Sequence, residues 1–309
     1  MKRLIEQGTF FFAFLVLTAI ALEGWLHVRM QDRRAHVLED WPDMHNLEAD
    51  LVFLGNSRTA EHLIPTVACE GLNQSCYNLA YDGYSVQMGA YRLDYLLRNG
   101  KRKPKFVALQ VDLSFCLGDG TQRNFPMKEG VLRYFLLDQI GINRYFRNYA
   151  NWREWDAYVP LLRYKGFPLM FFKHLLGWNR WDRRSELGFW HTPKDIRFQL
   201  PEAPKNKDVN VPLSGIDSVC KANDIKLIGI IPPSPQSSFQ PSDSALDSLA
   251  RTMEIFDFSD LFAGRESEFF YDDAHFTLEG SEIWSEAVNA RLKMLESSAA
   301  KDSLHFQQP

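Results

Sequence analysis

The chain has 309 residues, of which 45% are hydrophobic and 24% charged, so it is long enough for one large or two small domains with a packed core. Its net charge of −4 gives no reason to expect nucleic acid as a partner, because phosphate recognition needs a concentrated basic surface. Neither property distinguishes one class of small substrate from another.

The chain begins with an apolar segment, residues 1–27. Lys2 and Arg3 precede sixteen residues without a charge, from Gln7 to Leu22. This run is slightly shorter than the ~20 residues that cross a bilayer, and Ala19–Ala21 would also serve as the cleavage site of a signal peptide. Both interpretations predict export, as an inner-membrane-anchored protein with its globular part in the periplasm or outside the cell, or as a secreted protein after cleavage. Arginines on both flanks leave the orientation open.

Beyond a polar stalk at 28–50, apolar runs alternate with amphipathic stretches. Continuous apolar runs are typical of strands that are buried on both faces of a parallel sheet. A helix is predicted over 85–98, and an amphipathic C-terminal helix precedes a disordered tail at 299–309. The pattern predicts an α/β fold over 51–298, a flavodoxin-like three-layer α/β/α sandwich with a central parallel sheet. The predicted strands are 51–54, 106–111, 225–231 and 253–257.

A helical insertion at about 115–210, dense in aromatic residues and arginine, interrupts the alternation. Aromatic residues at helical spacing ordinarily pack a helical subdomain. Because the insertion follows a strand on the ligand side of the sheet, it is also a candidate lid or substrate platform.

Four cysteines are compatible with an oxidising compartment. Cys69 and Cys76 lie seven residues apart in a loop-like stretch, which makes a local disulfide plausible. Cys116 and Cys220 are distant in sequence and either pair or stay reduced.

Small polar residues follow the first strand in the segment LVFLGNSRTA. Ligands of open parallel sheets bind at the carboxyl ends of the strands, where Ser57, Asp112 and Pro232–Pro233 are expected. Serine is also a favoured helix N-cap, so Ser57 by itself is either a cap or a nucleophile. As a nucleophile it needs a base, and the base needs a carboxylate that orients it.

The segment FFYDDAHFTLEG, residues 269–280, offers such a pair before the last helix. Asp272 precedes His275 by three residues, so one loop can supply both groups. The alternatives are a surface histidine and a metal site, the latter weaker because no further cluster lies at ligand spacing. The sequence has no Gly-rich dinucleotide loop, P-loop or Cys-x-x-Cys pair, and we expect no cofactor and no metal.

The segment NLAYDGYS lies between these two and follows a strand-to-loop transition at Asn78. Backbone N–H groups often stabilise a developing oxyanion, and glycine lets the backbone approach a substrate closely. Gly83 is therefore a candidate donor, although an ordinary turn glycine after Asp82 is an equally good interpretation.

Taken in order, these segments resemble the SGNH/GDSL hydrolase superfamily. The closer resemblance is to its membrane-anchored extracytoplasmic branches, such as the proteins of D-alanine transfer to teichoic acids and of alginate O-acetylation. Each motif is weak alone, but the ordered set is fairly specific and covers most of the chain outside 115–210. The segments that carry the resemblance are FLGNSRT, YNLAYDG, PKFVALQVDLSF and DDAHFT.

The resemblance implies Ser57 as the nucleophile, His275 as the base and Asp272 as its orienting partner, with the Ser57 and Gly83 N–H groups as oxyanion donors. Two positions depart from the family pattern. Asn56 replaces an Asp, and Asp112 stands where the third block supplies an oxyanion-hole Asn. A carboxylate there repels an oxyanion unless it is protonated or turned away. The candidates for contacts with a polar substrate are Asn56, Arg58, Asn78, Asp112 and Ser114.

Two functions are consistent with these residues. The first is an exported serine esterase or O-acyltransferase acting on cell-envelope glycans or other acylated carbohydrates, with the membrane and a membrane acyltransferase as partners. The second is a catalytically degenerate SGNH-like protein that binds glycan or scaffolds an envelope polysaccharide complex, which the missing third-block Asn favours. The retained order of Ser57, Asp272 and His275 favours the first.

Overall fold

The structure of the protein is a computed structural model. The chain divides into two compact units, one made of residues 1–44 and 120–182 and the other of residues 45–119 and 183–309. The sheet described below belongs to the second unit. The structure describes residues 2–31, 44, 46–81, 85–112, 213, 215–235 and 240–305.

In the first unit, helix α1 covers Lys2–Gln31 and so contains the apolar N-terminal segment, continuing past the predicted boundary at residue 27. The side chains of Phe10, Phe11 and Phe12 are 80%, 64% and 69% exposed. Among the described residues, no helix combines the length and the apolar character that crossing a membrane requires.

The second unit is built on a five-stranded sheet in which every strand runs parallel to its neighbours. Its strands are β1 (Leu51–Leu54), β2 (Cys76–Asn78), β3 (Phe106–Gln110), β4 (Lys226–Ile231) and β5 (Glu254–Asp257), in the spatial order β2-β1-β3-β4-β5. The chain therefore leaves β1 towards β2 and later returns to its other side as β3. This reversal is the topological switch point, where open α/β sheets place their ligands.

Seven described helices accompany the sheet. Helix α8 (Leu278–His305) packs against α3 (Pro65–Ala68) and α7 (Glu266–Phe269). Helix α5 (Ile216–Ala222) packs against α4 (Val86–Asn99) and β4, and α6 (Asp243–Ala250) packs beside β5. The consecutive residues Val52 and Phe53 of β1 point to opposite faces of the sheet and are both fully buried, so the sheet is covered on both faces there. The helices are α2 (Ser57–Ala60), α3 (Pro65–Ala68), α4 (Val86–Asn99), α5 (Ile216–Ala222), α6 (Asp243–Ala250), α7 (Glu266–Phe269) and α8 (Leu278–His305).

A cluster of aromatic side chains lies between the sheet and α8. The ring of Trp284, fully buried, meets the ring of Phe276 edge to face at 5.5 Å, and Phe276 meets Phe270 in the same way at 4.9 Å. Truncating such a side chain ordinarily costs about 3–5 kcal/mol of stability. Because Phe276 directly follows His275, this cluster anchors the turn that carries His275.

The α/β class and the parallel sheet predicted from the sequence are confirmed. The four predicted strands and the predicted helix all occur, each within one residue of its expected limits. Strand β2 ends at Asn78, where a strand-to-loop transition was expected, but no limits were predicted for it because its three residues at the sheet edge form no apolar run. Helix α8 continues to His305, past the predicted start of the tail, since residues 299–305 contain neither glycine nor proline.

The predicted insertion at 115–210 lies outside the described residues, and so does Cys116. Cys69 and Cys76 form a disulfide that links the end of α3 to the start of β2. Cys220 carries a free, buried thiol, and burial is the main cause that raises its pKa to about 12. Of the two alternatives for Cys220, the structure has the reduced form.

Candidate active site

The turn after β1 brings the backbone very close to β3. A Cβ added at Gly55 would lie 2.4 Å from Gln110 Oε1 and 2.4 Å from Thr59 Oγ1, so only glycine fits here. Gln110 Oε1 accepts hydrogen bonds from the Asn56 N–H at 3.0 Å and from the Thr59 hydroxyl at 2.8 Å. The buried amide of Gln110 thus holds the turn. This role of Gln110 was not predicted, although a lone amide inside the apolar run FVALQV is a signal for it.

Asn56, and not Ser57, caps helix α2. The Asn56 side chain accepts a hydrogen bond from the Arg58 N–H at 3.0 Å, and its backbone is extended as an N-cap requires. Ser57 is the first residue inside the helix. The cap interpretation of Ser57 is therefore wrong, and its hydroxyl points to a different partner.

That partner is His275. The Ser57 Oγ lies 2.9 Å from His275 Nε2, and His275 Nδ1 lies 2.9 and 3.0 Å from the two carboxylate oxygens of Asp272. With Nδ1–H donating to the carboxylate, Nε2 keeps a lone pair that accepts the Ser57 O–H. The side chains of His275 and Asp272 are 19% and 25% exposed, so the series is sheltered but open to solvent. Two turns that are 218 positions apart in sequence supply the three groups.

The turn from Asp272 to His275 is held by the same carboxylate. Asp272 Oδ1 accepts hydrogen bonds from the backbone N–H groups of Ala274 and His275, at 2.9 and 2.7 Å. Partial burial acts to raise the pKa of Asp272. The hydrogen bond and the charge interaction with His275, together with the hydrogen bonds from the two backbone N–H groups, nevertheless hold this pKa below its ordinary value. Asp272 is consequently ionised at neutral pH and available to orient the imidazole.

The buried side chain of His62 packs against the turn that carries His275. Its ring lies 5.5 Å from the ring of His275, and its Nε2 accepts a hydrogen bond from the Phe276 N–H at 3.3 Å. Its Nδ1 lies 3.0 Å from the Ser281 hydroxyl, and the Ser281 hydroxyl itself donates to the Thr277 carbonyl oxygen at 3.0 Å. Nδ1–H therefore donates, and the buried His62 is neutral and structural in this arrangement. A lone histidine in NSRTAEHL gave no signal of this role.

Arg58 and Asp112 form a buried ion pair in place of a substrate contact. Their side chains are 1% and 0% exposed, and Gln110 Nε2 donates to the second oxygen of Asp112 at 2.8 Å. Enclosed charges of this kind cannot reach a ligand, so the prediction that these two residues bind substrate is wrong. The pairing also balances the negative charge of Asp112 with the positive charge of Arg58, which reduces the repulsion expected between this carboxylate and an oxyanion.

Asn78 is likewise structural. Its side-chain amide is fully buried and donates to the carbonyl oxygens of Thr59 and Leu63 at 2.8 and 2.9 Å, while its Oδ1 accepts from the Ala80 N–H at 3.1 Å. Both amide hydrogens are used, which excludes the predicted substrate contact. Asn56 is almost fully buried and acts as the cap. Gly83 and Ser114 lie outside the described residues, and their predicted roles stay predictions.

Within the described part of the chain, no group of three or more His, Cys, Asp or Glu side chains is arranged to hold a metal ion. The chemistry available to the described residues is that of a serine hydroxyl hydrogen-bonded to a histidine. Such a pair can remove the hydroxyl proton while the oxygen attacks an electrophilic carbon.

Comparison with known proteins assigns this chain to no family. No protein-family model matches the sequence, and no curated protein matches it. Among solved structures, one match is a chain described as "a putative platelet activating factor from Streptococcus pneumonia". It has 12% sequence identity and a TM-score of 0.37, and the alignment covers 90% of this chain and 99% of that chain. A likeness at this level supports no statement about the fold or the function of this protein.

Proposed function

We propose that this protein is a serine-dependent acyl-ester hydrolase or O-acyltransferase that works through an acyl-enzyme on Ser57. The observation that carries the proposal is the continuous series from the Ser57 hydroxyl through His275 to the Asp272 carboxylate, with distances of 2.9 Å at both steps. The motif order that resembles the SGNH/GDSL superfamily supports the same assignment. In that assignment Ser57 is the nucleophile, His275 the general base and Asp272 the group that orients it.

The reaction follows from the geometry. The Ser57 Oγ attacks the carbonyl carbon of the ester, and its proton passes to His275 Nε2. The tetrahedral intermediate collapses by breaking the bond to the alcohol oxygen, which takes the proton from His275 as it leaves. Water or a sugar hydroxyl then attacks the acyl group on Ser57 and gives up its proton to His275. The bond between the acyl carbon and Ser57 Oγ breaks as that oxygen takes the proton back from His275, which releases the acid or the new ester and restores the serine hydroxyl.

Negative charge on the carbonyl oxygen needs hydrogen-bond donors. As the first residue of α2, Ser57 has a backbone N–H without an acceptor in its own helix, which makes it available for this purpose. We assign Gly83 as the second donor from the motif resemblance. Because Asp112 pairs with Arg58, we do not assign its side chain to the oxyanion hole.

We propose acylated carbohydrates of the cell envelope as the substrates and a membrane acyltransferase as a source of acyl groups. The apolar N-terminal segment supports an extracytoplasmic location on an inner-membrane anchor. The disulfide between Cys69 and Cys76 also supports it, because such bonds persist in oxidising compartments. Protease treatment of intact spheroplasts tests the location, and survival of the whole chain would contradict it.

The catalytic proposal is tested by labelling with a fluorophosphonate probe and by hydrolysis of p-nitrophenyl acetate. Ser57→Ala and His275→Ala should each lose several orders of magnitude in rate, because members of such a series act as a unit. Ser297→Ala, at an exposed serine of α8, is the matched control and should leave both rates unchanged. Equal labelling of the wild type and Ser57→Ala would refute the nucleophile assignment.

A glycan-binding or scaffolding protein without catalysis is the second candidate, favoured by the missing third-block Asn. It predicts that the folded wild type is inert to the probe yet retains a polysaccharide ligand. Retention of acylated glycan by a chain that does label with the probe would instead support the catalytic proposal.

A further inference from the structure

Arg58 is the residue directly after the proposed nucleophile, and it is buried with its charge. Burying an unpaired guanidinium costs free energy, so a buried arginine requires hydrogen-bond partners for its nitrogens. The first nitrogen pairs with the Asp112 carboxylate after β3, and the second donates to the carbonyl oxygen of Pro233 after β4. The third, Nε, donates to the carbonyl oxygen of Ala274 at 3.2 Å.

The contact with Ala274 connects the two turns of the site. Ala274 lies between Asp272 and His275, so its carbonyl belongs to the turn that carries the proposed base. Arg58 belongs to the helix that begins at Ser57. A single side chain therefore ties the turn of the nucleophile to the turn of the base, across most of the length of the chain.

We propose that Arg58 is a positioning residue that sets the distance between Ser57 Oγ and His275 Nε2. This inference rests on the proposed function. The hydroxyl and the imidazole come from distant parts of the sequence, so only non-covalent contacts fix their separation. Displacement of reacting groups by about 1 Å costs on the order of 10²-fold in rate.

The charges around Arg58 support this role. Burial lowers the pKa of the guanidinium, while Asp112 acts most strongly to raise it, followed by Asp272 and Asp273. Asp112 is held in turn by Gln110, whose other amide atom accepts from the Asn56 N–H. The network thus runs from Asn56, in the turn of Ser57, to Ala274, in the turn of His275.

Arginine is the side chain that this geometry requires. Three acceptors on three separate segments are met by three nitrogens in the fixed plane of a guanidinium. Lysine has a single nitrogen on a flexible stem and cannot bridge them in this way.

An ion pair that merely stabilises the fold is the competing explanation, and a double substitution separates the two. Replacing a buried ion pair by apolar residues of similar volume often leaves stability unchanged or raises it. We therefore compare Arg58→Met/Asp112→Leu with the wild type in the full chain. The matched control is Arg265→Met/Glu268→Leu, which removes an exposed pair between Arg265, the N-cap of α7, and Glu268 inside it.

The expected result is a melting temperature near that of the wild type with a kcat for p-nitrophenyl acetate lower by about 10²-fold. The fluorophosphonate labelling rate should fall by the same factor, while KM changes by no more than about twofold, because substrate contacts are not removed. Arg58→Lys should recover only part of the lost kcat, and the control pair should match the wild type.

A double variant that melts like the wild type and keeps its kcat within about threefold would overturn the inference. If the double variant does not fold, Arg58→Lys decides the question, since it keeps a charge for Asp112. A folded Arg58→Lys with the full wild-type kcat then refutes the positioning role. A wild type that neither labels nor hydrolyses overturns the proposed function and this inference with it. Labelling that depends on His275 but not on Arg58 overturns the inference alone.

Discussion

Replacing Gly55 by alanine should destabilise the protein strongly, although alanine adds only a methyl group. The new Cβ would lie 2.4 Å from both Gln110 Oε1 and Thr59 Oγ1, whereas real Cβ atoms essentially never come closer than 3.0 Å to such neighbours. The Gln110 oxygen therefore has to move by at least 0.6 Å, the difference between 3.0 and 2.4 Å. It is not a free end, because it accepts two hydrogen bonds.

The magnitude follows from these contacts. Loss of two hydrogen bonds costs about 1 kcal/mol each, and overpacking a tight site costs about 1–3 kcal/mol. The sum is a loss of about 3–5 kcal/mol in the free energy of unfolding. Because the same turn carries Ser57, the fluorophosphonate labelling rate of the folded variant should fall as well.

Urea unfolding of the full chain, followed by tryptophan fluorescence, measures the loss. Gly215→Ala is the control for backbone strain, since it has a φ of +81° and no atom of the described residues within 4 Å of the new Cβ, and should cost about 1–2 kcal/mol. Gly8→Ala, in α1 with equally open space, should cost nothing. If Gly55→Ala were no more destabilising than Gly215→Ala, the steric argument for this turn would be refuted.

Three further predictions concern the second unit. Asp272→Asn should keep the fold but lower kcat by about 10³–10⁴-fold, because the imidazole loses the partner that sets its tautomer. A stopped assay with p-nitrophenyl acetate measures kcat, and a loss under tenfold would contradict the orienting role of Asp272. The pKa of Asp50 is lowered to about 2 by the Ser75 hydrogen bonds, Lys105 and Arg102, against burial, which acts to raise it. The ionised Asp50 carboxylate therefore stabilises the folded state fully above pH 4, and this contribution should vanish as the pH falls through about 2. The urea midpoint of Asp50→Asn should accordingly change less over this pH window than that of the wild type. Replacing Cys69 and Cys76 together by serine should lower the free energy of unfolding by about 2 kcal/mol, as expected for a short closed loop, and an unchanged urea midpoint would show that the bond contributes nothing.

The sequence predicted those parts of the fold that depend on local pattern. Apolar runs such as LVFL are buried on both faces of a sheet, and their composition alone indicates this. Asp272 and His275 were predictable for the same reason, since three residues of spacing suffice for a contact inside one turn. The contact of His275 with Ser57 was only a hypothesis, because nothing local brings together groups that lie so far apart along the chain.

The errors concern residues whose role depends on burial. Asn78, Arg58 and Asp112 are polar residues at strand ends, where a substrate contact was a reasonable expectation. Their burial arises from packing between distant segments, which a sequence does not display. Gln110 was missed for the complementary reason, because a single amide in an apolar run gives no indication of which backbone groups it will bind.

Asn56 and Ser57 have separate roles at the start of α2, and this separation has a practical consequence. The asparagine alone caps the helix, so the fold does not need the neighbouring hydroxyl. Under the proposed function, a single substitution at position 57 should abolish catalysis and leave the architecture intact. A Ser57→Ala chain would then be an inert form in which an unreacted ester can be captured.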